Sequence, residues 1–275
     1  MKPGSTIPNT DTIIFLHIPK TGGRSLQSIL LRKYSSDEVI TDAHNNLGEI
    51  SEWSEERKRR IRYLQGHFIY GAHNVLPQDC SYITNLRDPI DRVISHYYFI
   101  RRSTGHPLHD VVIQQDMSLE DYVTSGVCDE VSNDQARLIA GVSRDSPVAL
   151  DEMLKMAKDN IDNKFLVVGL LEEFNKTLVL LKKRLGLRNI FYGIRNQTIG
   201  RPLKEQTPER TLDLISERNY ADIELYAYAE ERLAKTIEEE GPAFMKAVRK
   251  FELLNRPYSN IFHLARVVKN KVLNG

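Results

Sequence analysis

Residues 12–34 read TIIFLHIPKTGGRSLQSILLRKY, and this stretch decides the fold. Its first seven residues are mostly apolar and β-branched, as in a buried strand, and Pro19 favours an extended conformation for the residue before it. Two adjacent glycines then interrupt the pattern. Apolar residues recur at helical spacing from Leu26 to Tyr34. The stretch therefore predicts a strand, a glycine loop and a helix, in that order.

A second unit of the same kind lies further along the chain. Residues 81–86 (SYITNL) predict a strand, and Asp88 followed by Pro89 is typical of a helix N-cap and first helical position. Residues 63–70 and 165–171 predict two more buried strands. Alternating strands and helices predict an α/β fold with a mainly parallel sheet flanked by helices, and the chain after Thr207 predicts a helical C-terminal third.

Composition excludes several classes of protein. The chain has 275 residues, 41% of them hydrophobic, and a net charge of +1, so neither a disordered chain nor a nucleic-acid-binding surface is indicated. Its two cysteines lack the spacing of a zinc site. No apolar run approaches the roughly 20 residues that span a bilayer, and the first residues lack a signal-peptide pattern. We expect a disordered tail over residues 1–11, a single domain over residues 12–275 and a cytoplasmic location.

The glycine loop has the composition of an anion site. Two glycines allow backbone N–H groups to turn toward an anion at the positive end of a helix, and a lysine and two hydroxyls add donors. A turn that only packed the helix on the sheet would not need the lysine. The candidate anion-binding residues are Lys20, Thr21, Gly22, Gly23, Arg24, Ser25 and Leu26.

Two common nucleotide loops are excluded at this position. A Walker A loop requires glycines where this chain has Ile14 and Pro19, and the GxGxxG pattern of dinucleotide-binding folds does not follow the strand. The usual nucleoside-triphosphate cradle is therefore absent from this loop.

These residues resemble a known family. FLHIPKTGGRSL (residues 15–26) is similar to the 5′-phosphosulfate loop of sulfotransferases that use 3′-phosphoadenylyl sulfate (PAPS), particularly the carbohydrate branch that includes the heparan-sulfate 2-O-sulfotransferases. YITNLRDPIDRVISHYYF (residues 82–99) is similar to their 3′-phosphate motif, and NQTIGRP (residues 196–202) continues the resemblance more weakly. The resemblance implies a P-loop-kinase-like fold, PAPS as sulfuryl donor, no metal, and a carbohydrate or other hydroxyl acceptor.

The second motif can bind a phosphate on physical grounds as well. Arg87 ends a strand, and Ser95 lies two turns into the next helix, about 9 Å along its axis, so a guanidinium and a hydroxyl can converge on one phosphate. Alternatively, Arg87 pairs with a neighbouring aspartate and Ser95 faces solvent. The resemblance adds Arg201 to the nucleotide-binding candidates.

Sulfuryl transfer requires stabilisation of the leaving oxygen and removal of the acceptor's proton. Lys20 is suited to stabilising the negative charge that grows on the leaving phosphate oxygen. The resemblance implies His67, in its Gly-His setting, as the general base; the related enzymes carry a second histidine two residues earlier, where this chain has Gln65. His73 is the alternative base, and we expect His17 to pack and orient.

Other interpretations remain open at this point. The chain could be a small-molecule kinase using ATP and magnesium, or a catalytically silent nucleotide-binding module. His106, His109 and Asp110 form only a weak metal-like pattern, so we expect no metal site. We expect residues 261–273, which are amphipathic and basic, to dock on the core rather than bind a membrane. The sequence reveals neither the acceptor nor the oligomeric state.

Overall fold

The computed structural model describes residues 11–43, 46–193 and 204–273, with side chains placed as far as residue 261. Within these residues, five strands form one sheet in the order β2-β3-β1-β4-β5, and every neighbouring pair is parallel. The strands are β1 (Thr12–Leu16), β2 (Val39–Ile40), β3 (Tyr63–Gly66), β4 (Cys80–Leu86) and β5 (Phe165–Leu170).

Helices connect the strands, cover both faces of the sheet and make up the C-terminal third of the chain. They are α1 (Gly23–Leu30), α2 (Leu47–Ser51), α3 (Glu55–Arg59), α4 (Pro89–Ile100), α5 (His109–Gln114), α6 (Leu119–Thr124), α7 (Asp134–Ala140), α8 (Leu150–Lys164), α9 (Phe174–Leu185), α10 (Glu209–Arg218), α11 (Tyr220–Glu240) and α12 (Pro242–Leu273). The predicted α/β class, with a parallel sheet and a helical C-terminal third, is confirmed.

The hydrophobic core lies on both faces of the sheet because parallel strands are buried on both sides. All five residues of β1, the central strand, are buried. One apolar cluster contains buried residues from most of the chain, the first being Ile13 and the last Phe251. A second cluster lies where α4 meets α6 and α10, and includes Val93, Tyr122 and Ile215.

Some predicted elements differ from the observed ones. The strand predicted over residues 63–70 ends at Gly66, because the chain then leaves the sheet and the Tyr70 N–H donates to the carbonyl of Leu138 (2.7 Å). His67 therefore follows the strand rather than lying within it. The expected tail lies outside the described residues, apart from Asp11.

The C-terminal helix docks only in part. Phe244, Val248 and Phe251 of α12 are buried, whereas Ile261 is 68% exposed, so the expected docking of residues 261–273 is wrong at their first residue. The side chains that follow lie outside the described residues. In the described ranges, no helix combines the length and the apolar character needed to cross a bilayer.

Candidate active site

The candidate residues meet at the carboxyl edge of the sheet. Because β1 lies between β3 and β4 and all three are parallel, the residues that follow these strands converge at one edge, the usual place for a ligand in an open α/β sheet. His17 follows β1, His67 follows β3 and Arg87 follows β4. The glycine loop, residues 17–22, occupies the middle of this edge.

Helix α1 begins there with an end suited to an anion. Gly22 is its N-cap, with φ +81°, a left-handed conformation that favours glycine, and a Cβ at this position would lie 2.7 Å from Leu171 Cδ1, so the Leu171 side chain would have to shift. Gly22 has no side chain that could cap the helix, and the first turn contains no acidic residue. The first N–H groups and the helix dipole therefore favour a bound anion.

Two of the candidate residues hold the loop from inside. The Thr21 side chain is fully buried, its hydroxyl donates to the carbonyl of Ile18 (2.9 Å), and its own carbonyl accepts from Asn85 Nδ2 (2.5 Å). The Leu26 side chain is also fully buried, so only its backbone could serve a ligand. A direct contact of Thr21 with an anion stays a prediction.

Gly23 makes room for a pair of histidines. A Cβ on Gly23 would lie 1.8 Å from His17 Nε2. The His17 ring stacks on Phe15 (5.2 Å between centroids) and lies against His67 (4.4 Å). The second of the two adjacent glycines, Gly23, is therefore explained by the ring of His17.

The backbone of His17 fixes the protonation of His67. His67 Nδ1 lies 2.6 Å from the His17 carbonyl oxygen. Since a carbonyl oxygen only accepts, Nδ1 carries the proton and Nε2 holds the lone pair in the neutral ring. Burial, assisted by the nearby charges of His67 and Arg24, lowers the pKa of His17 to about 3, so His17 is neutral at physiological pH. The Gln65 side chain instead accepts from the hydroxyl of Tyr63 (2.6 Å).

A polar cavity of about 160 Å³ adjoins His67. Arg24 and Gln27 of α1 and Asp42 after β2 line it together with both histidines. Arg24, which sequence analysis assigned to the anion loop, thus also faces the space beside the candidate base. The cavity can hold a polar group next to His67.

A larger cavity, of about 290 Å³, lies at the opposite edge of the sheet. Its cations already have partners: Lys33 Nζ donates to the Leu185 carbonyl (2.5 Å), Arg62 lies 3.5 Å from Asp11, and Arg184 lies 2.8 Å from Glu240. It is also remote from the strand ends that carry the motifs. We therefore place the candidate site at the smaller cavity and the glycine loop.

Lys20 links the loop to the second motif. Its φ is +70°, an unusual conformation for a residue with a side chain. Its ammonium lies 4.0 Å from the centre of the Phe99 ring on α4, a cation–π distance, and its carbonyl accepts from Arg87 Nη1 (3.3 Å). Lys20 and Arg87 are 67 residues apart in the sequence. Their hydrogen bond therefore brings the two sequence motifs into direct contact.

Arg87 directly follows β4 and Ser95 lies in the second turn of α4, while their joint binding of a phosphate stays a prediction. Asp88 caps α4 by accepting from the Asp91 N–H (2.9 Å), and Pro89 is the first helical residue, as expected. Arg87 is mostly buried, and its guanidinium is 3.8 Å from the Asp91 carboxylate. The pairing of Arg87 with a neighbouring aspartate, which the sequence left open, is therefore present as a long ion pair. Ser95 is buried and does not face solvent.

Sequence analysis missed the residue that holds Arg87 in place. Gln135, fully buried on α7, accepts from the Arg87 N–H (3.1 Å) and donates to the Arg87 carbonyl (3.0 Å). Asp222 in turn accepts from the N–H groups of Gln135 (3.2 Å) and Ala136 (2.7 Å) and lies 3.5 Å from buried Arg92. Burial raises the pKa of Asp222, against the opposing effect of Arg92. Gln135 is 48 residues from Arg87, and a hydrogen bond between residues so far apart leaves no pattern in the local sequence.

Two other histidines of the described residues, His73 and His96, have partners away from His67. His73 Nδ1 lies 2.9 Å from the hydroxyl of Tyr82. Tyr82 is in β4, five residues before Arg87, and five residues of extended chain span roughly 16 Å. His96 is buried, with Nδ1 2.9 Å from the Tyr122 hydroxyl and Nε2 3.1 Å from a Glu130 carboxylate oxygen. Arg201 lies outside the described residues.

Comparisons with known proteins agree with the motifs. A family model described as "Sulfotransferase family" matches residues 4–229, most of the chain. The chain belongs to the sulfotransferase family. Among curated relatives, the chain is 24% identical over 260 residues to human uronyl 2-sulfotransferase and 23% identical to the mouse protein, matching 84% of this chain and 64% of each relative. It thus spans less than two thirds of the length of these relatives.

Two further matches are more limited. The chain is 37% identical over 91 residues to a protein-tyrosine sulfotransferase of Arabidopsis thaliana, covering 32% of this chain and 17% of that protein. Among solved structures, mouse sulfotransferase SULT7A1 complexed with PAP is 17% identical, with a TM-score of 0.38 and coverage of 88% and 89% of the two chains.

Proposed function

We propose that this sulfotransferase transfers a sulfuryl group from PAPS to a hydroxyl of a carbohydrate that carries uronic acid. The observation that carries the proposal is the arrangement at the carboxyl edge of the sheet. An uncapped helix N-terminus with Lys20 lies at the centre, Arg87 lies on the β4 side, and His67, protonated at Nδ1, lies on the β3 side. This order suits a donor on one side and an acceptor on the other.

The residues present fit PAPS. The uncapped N–H groups of α1 and the Ser25 hydroxyl would hold the 5′-phosphosulfate, and Arg87 with Ser95 would hold the 3′-phosphate. Arg201 would add a further cation. When bound, PAPS supplies the sulfuryl group and leaves as adenosine 3′,5′-bisphosphate (PAP).

Lys20 would stabilise the negative charge that develops on the leaving phosphate. Its carbonyl is tied to Arg87 and its ammonium lies over the face of Phe99, so the charge is held near the second motif before any ligand binds. A charge that is already in position costs no reorganisation during the reaction.

His67 would remove the proton of the acceptor hydroxyl through Nε2. The bond from Nδ1 to the His17 carbonyl retains the other proton, as in other carbonyl-oriented histidine bases. The neutral His17 ring adds no charge beside the imidazolium that forms, because burial lowers the pKa of His17 to about 3.

The acceptor class is supported by Arg24 and by the curated relatives. A carboxylate beside the reacting hydroxyl would find the Arg24 guanidinium across the cavity that adjoins His67. The names of the human and mouse relatives contain "uronyl", which is a carboxylate-bearing sugar unit. A cytoplasmic location and the single-domain boundaries stay predictions.

Thermal unfolding with two ligands tests the donor. A ligand present at 100 times its dissociation constant adds about 2.7 kcal/mol of stability. We expect PAP to raise the unfolding temperature and ADP with magnesium to leave it unchanged. Stabilisation by ADP with magnesium alone would favour the kinase interpretation, and stabilisation by PAP without turnover would favour the silent module.

A pH–rate profile tests the base. His67→Ala should lower turnover by about 10² to 10⁴ and remove the acid limb of the profile, since protonated histidine cannot accept a proton. His73→Ala is the matched control and should retain both, because its ring is held at Tyr82. The reverse outcome would transfer the role to His73.

A further inference from the structure

The C-terminal helix α12 is docked along its first part and exposes several apolar side chains from Leu253 to Ile261. Phe244, Val248 and Phe251 are buried against the core, and Asn255 accepts from the backbone N–H of Tyr192 (2.9 Å). Pro257 follows, and it has no N–H to donate to the carbonyl four residues earlier. The helix therefore has a break in its hydrogen bonding at Pro257, and the Tyr258 ring just beyond it still contacts Phe191 (5.7 Å between centroids).

An apolar surface appears on α12 around this break. Leu253, Leu254, Tyr258 and Ile261 are 75%, 50%, 38% and 68% exposed; we call these four residues the C-terminal apolar face. They account for four of the seven exposed large hydrophobic side chains in the described part of the chain, within nine residues of sequence. Leu254, Tyr258 and Ile261 have the four-and-three spacing that places residues on one side of a helix. The clustering indicates a surface that binds a partner.

The charge of α12 indicates which partner. Residues 242–273 contain seven Lys or Arg and one acidic residue, Glu252, in a chain whose net charge is +1, so the rest of the chain is net acidic. Lys246, Arg249, Lys250 and Arg256 are exposed beside the C-terminal apolar face. Residues 262–273, FHLARVVKNKVL, continue the same mixture in sequence.

An apolar face bordered by cations matches an anionic lipid surface. Interfacial helices place their apolar side chains at the boundary of headgroups and acyl chains, while Lys and Arg attract anionic headgroups. A second copy of the same helix fits less well, because its cations would face one another with only Glu252 to offset them. The absence of a spanning helix in the described ranges is compatible with a helix that lies on the membrane.

We propose that α12, from Leu253 onward, binds the surface of an anionic membrane and holds the enzyme there. The proposal is independent of the reaction chemistry. It rests on the exposed apolar face, the positive charge of the helix and the break at Pro257.

Vesicle flotation of the full chain tests the proposal. We expect the protein to float with vesicles of phosphatidylcholine and phosphatidylserine, not with phosphatidylcholine alone, and to dissociate at high salt. Replacing an exposed cation such as Arg256 by Ala should weaken partitioning about fivefold. Leu254→Glu combined with Ile261→Glu should abolish binding while turnover on a soluble acceptor is unchanged.

Leu150→Glu is the matched control, because Leu150 is a 48% exposed leucine on α8, outside α12, and its variant should bind vesicles normally. Thermal unfolding verifies that each variant folds. Failure of the wild type to float with anionic vesicles, or equal flotation of the Leu254/Ile261 variant, would overturn the proposal. A third outcome would also overturn it: the wild type does not bind vesicles but forms a concentration-dependent dimer in sedimentation, and the Leu254/Ile261 variant does not. The C-terminal apolar face would then bind a second copy of the chain.

Discussion

Replacing Gly23 by alanine should disturb the histidine pair through a single added methyl group. That Cβ would lie 1.8 Å from His17 Nε2, far inside any contact distance, so the His17 ring must move. The ring is confined by Phe15 on one side and His67 on the other. Forcing extra atoms into a packed position costs about 1–3 kcal/mol. Turnover should fall as well, because the displaced His17 ring no longer packs against the His67 ring.

A double-mutant cycle isolates this contact. In the His17→Ala background the space is free, and Gly23→Ala should then be neutral or stabilise by up to about 1 kcal/mol, since alanine favours a helix more than glycine does. Urea unfolding of the four proteins gives the coupling free energy. If Gly23→Ala costs the same in both backgrounds, the two residues are independent and the reasoning is refuted.

Three other perturbations test separate parts of the site. Lys20→Ala should lower turnover about a hundredfold without unfolding the protein, measured by initial rates with PAPS and by thermal unfolding; near-normal turnover would remove Lys20 from the mechanism. Gln135→Leu deletes both hydrogen bonds to the backbone of Arg87, so binding of PAP should weaken more than binding of adenosine 5′-phosphate in calorimetry, and equal losses would make Gln135 merely structural. Because the pKa of His17 is about 3 in the folded protein and 6.5 in the unfolded chain, protons favour unfolding below pH 6.5; wild type should lose about 2 kcal/mol at pH 5 from this group, and His17→Gln should not.

Local sequence signals predicted the elements that carry the two motifs. Pro19 and Gly22 mark the end of β1 and the start of α1, and Asp88 with Pro89 marks the start of α4, because these residue types act on their own backbone. Strand β2 was missed, since two residues cannot display a periodicity. His67 was assigned to a strand that ends one residue earlier, because the turn depends on a contact between Tyr70 and Leu138.

Contacts between distant residues could not be predicted from periodicity. Gln135 and Arg87 are 48 residues apart, and His17 and His67 are 50 apart; each pair meets only because of how the helices and strands pack. The resemblance suggested a second histidine near His67, and the sequence offered Gln65 in its place. The structure instead places His17, from the neighbouring strand, against the His67 ring.

Transfer of a labelled sulfuryl group tests the central claim most directly. The purified protein would be incubated with ³⁵S-labelled PAPS and a desulfated glycan that contains uronic acid, with a carboxyl-reduced glycan as the control acceptor. We expect label in the uronic acid glycan, release of PAP, and a marked loss with the reduced glycan, whose hydroxymethyl groups offer Arg24 no charge. No transfer from PAPS to any hydroxyl acceptor, despite binding of PAP, would contradict the proposed reaction.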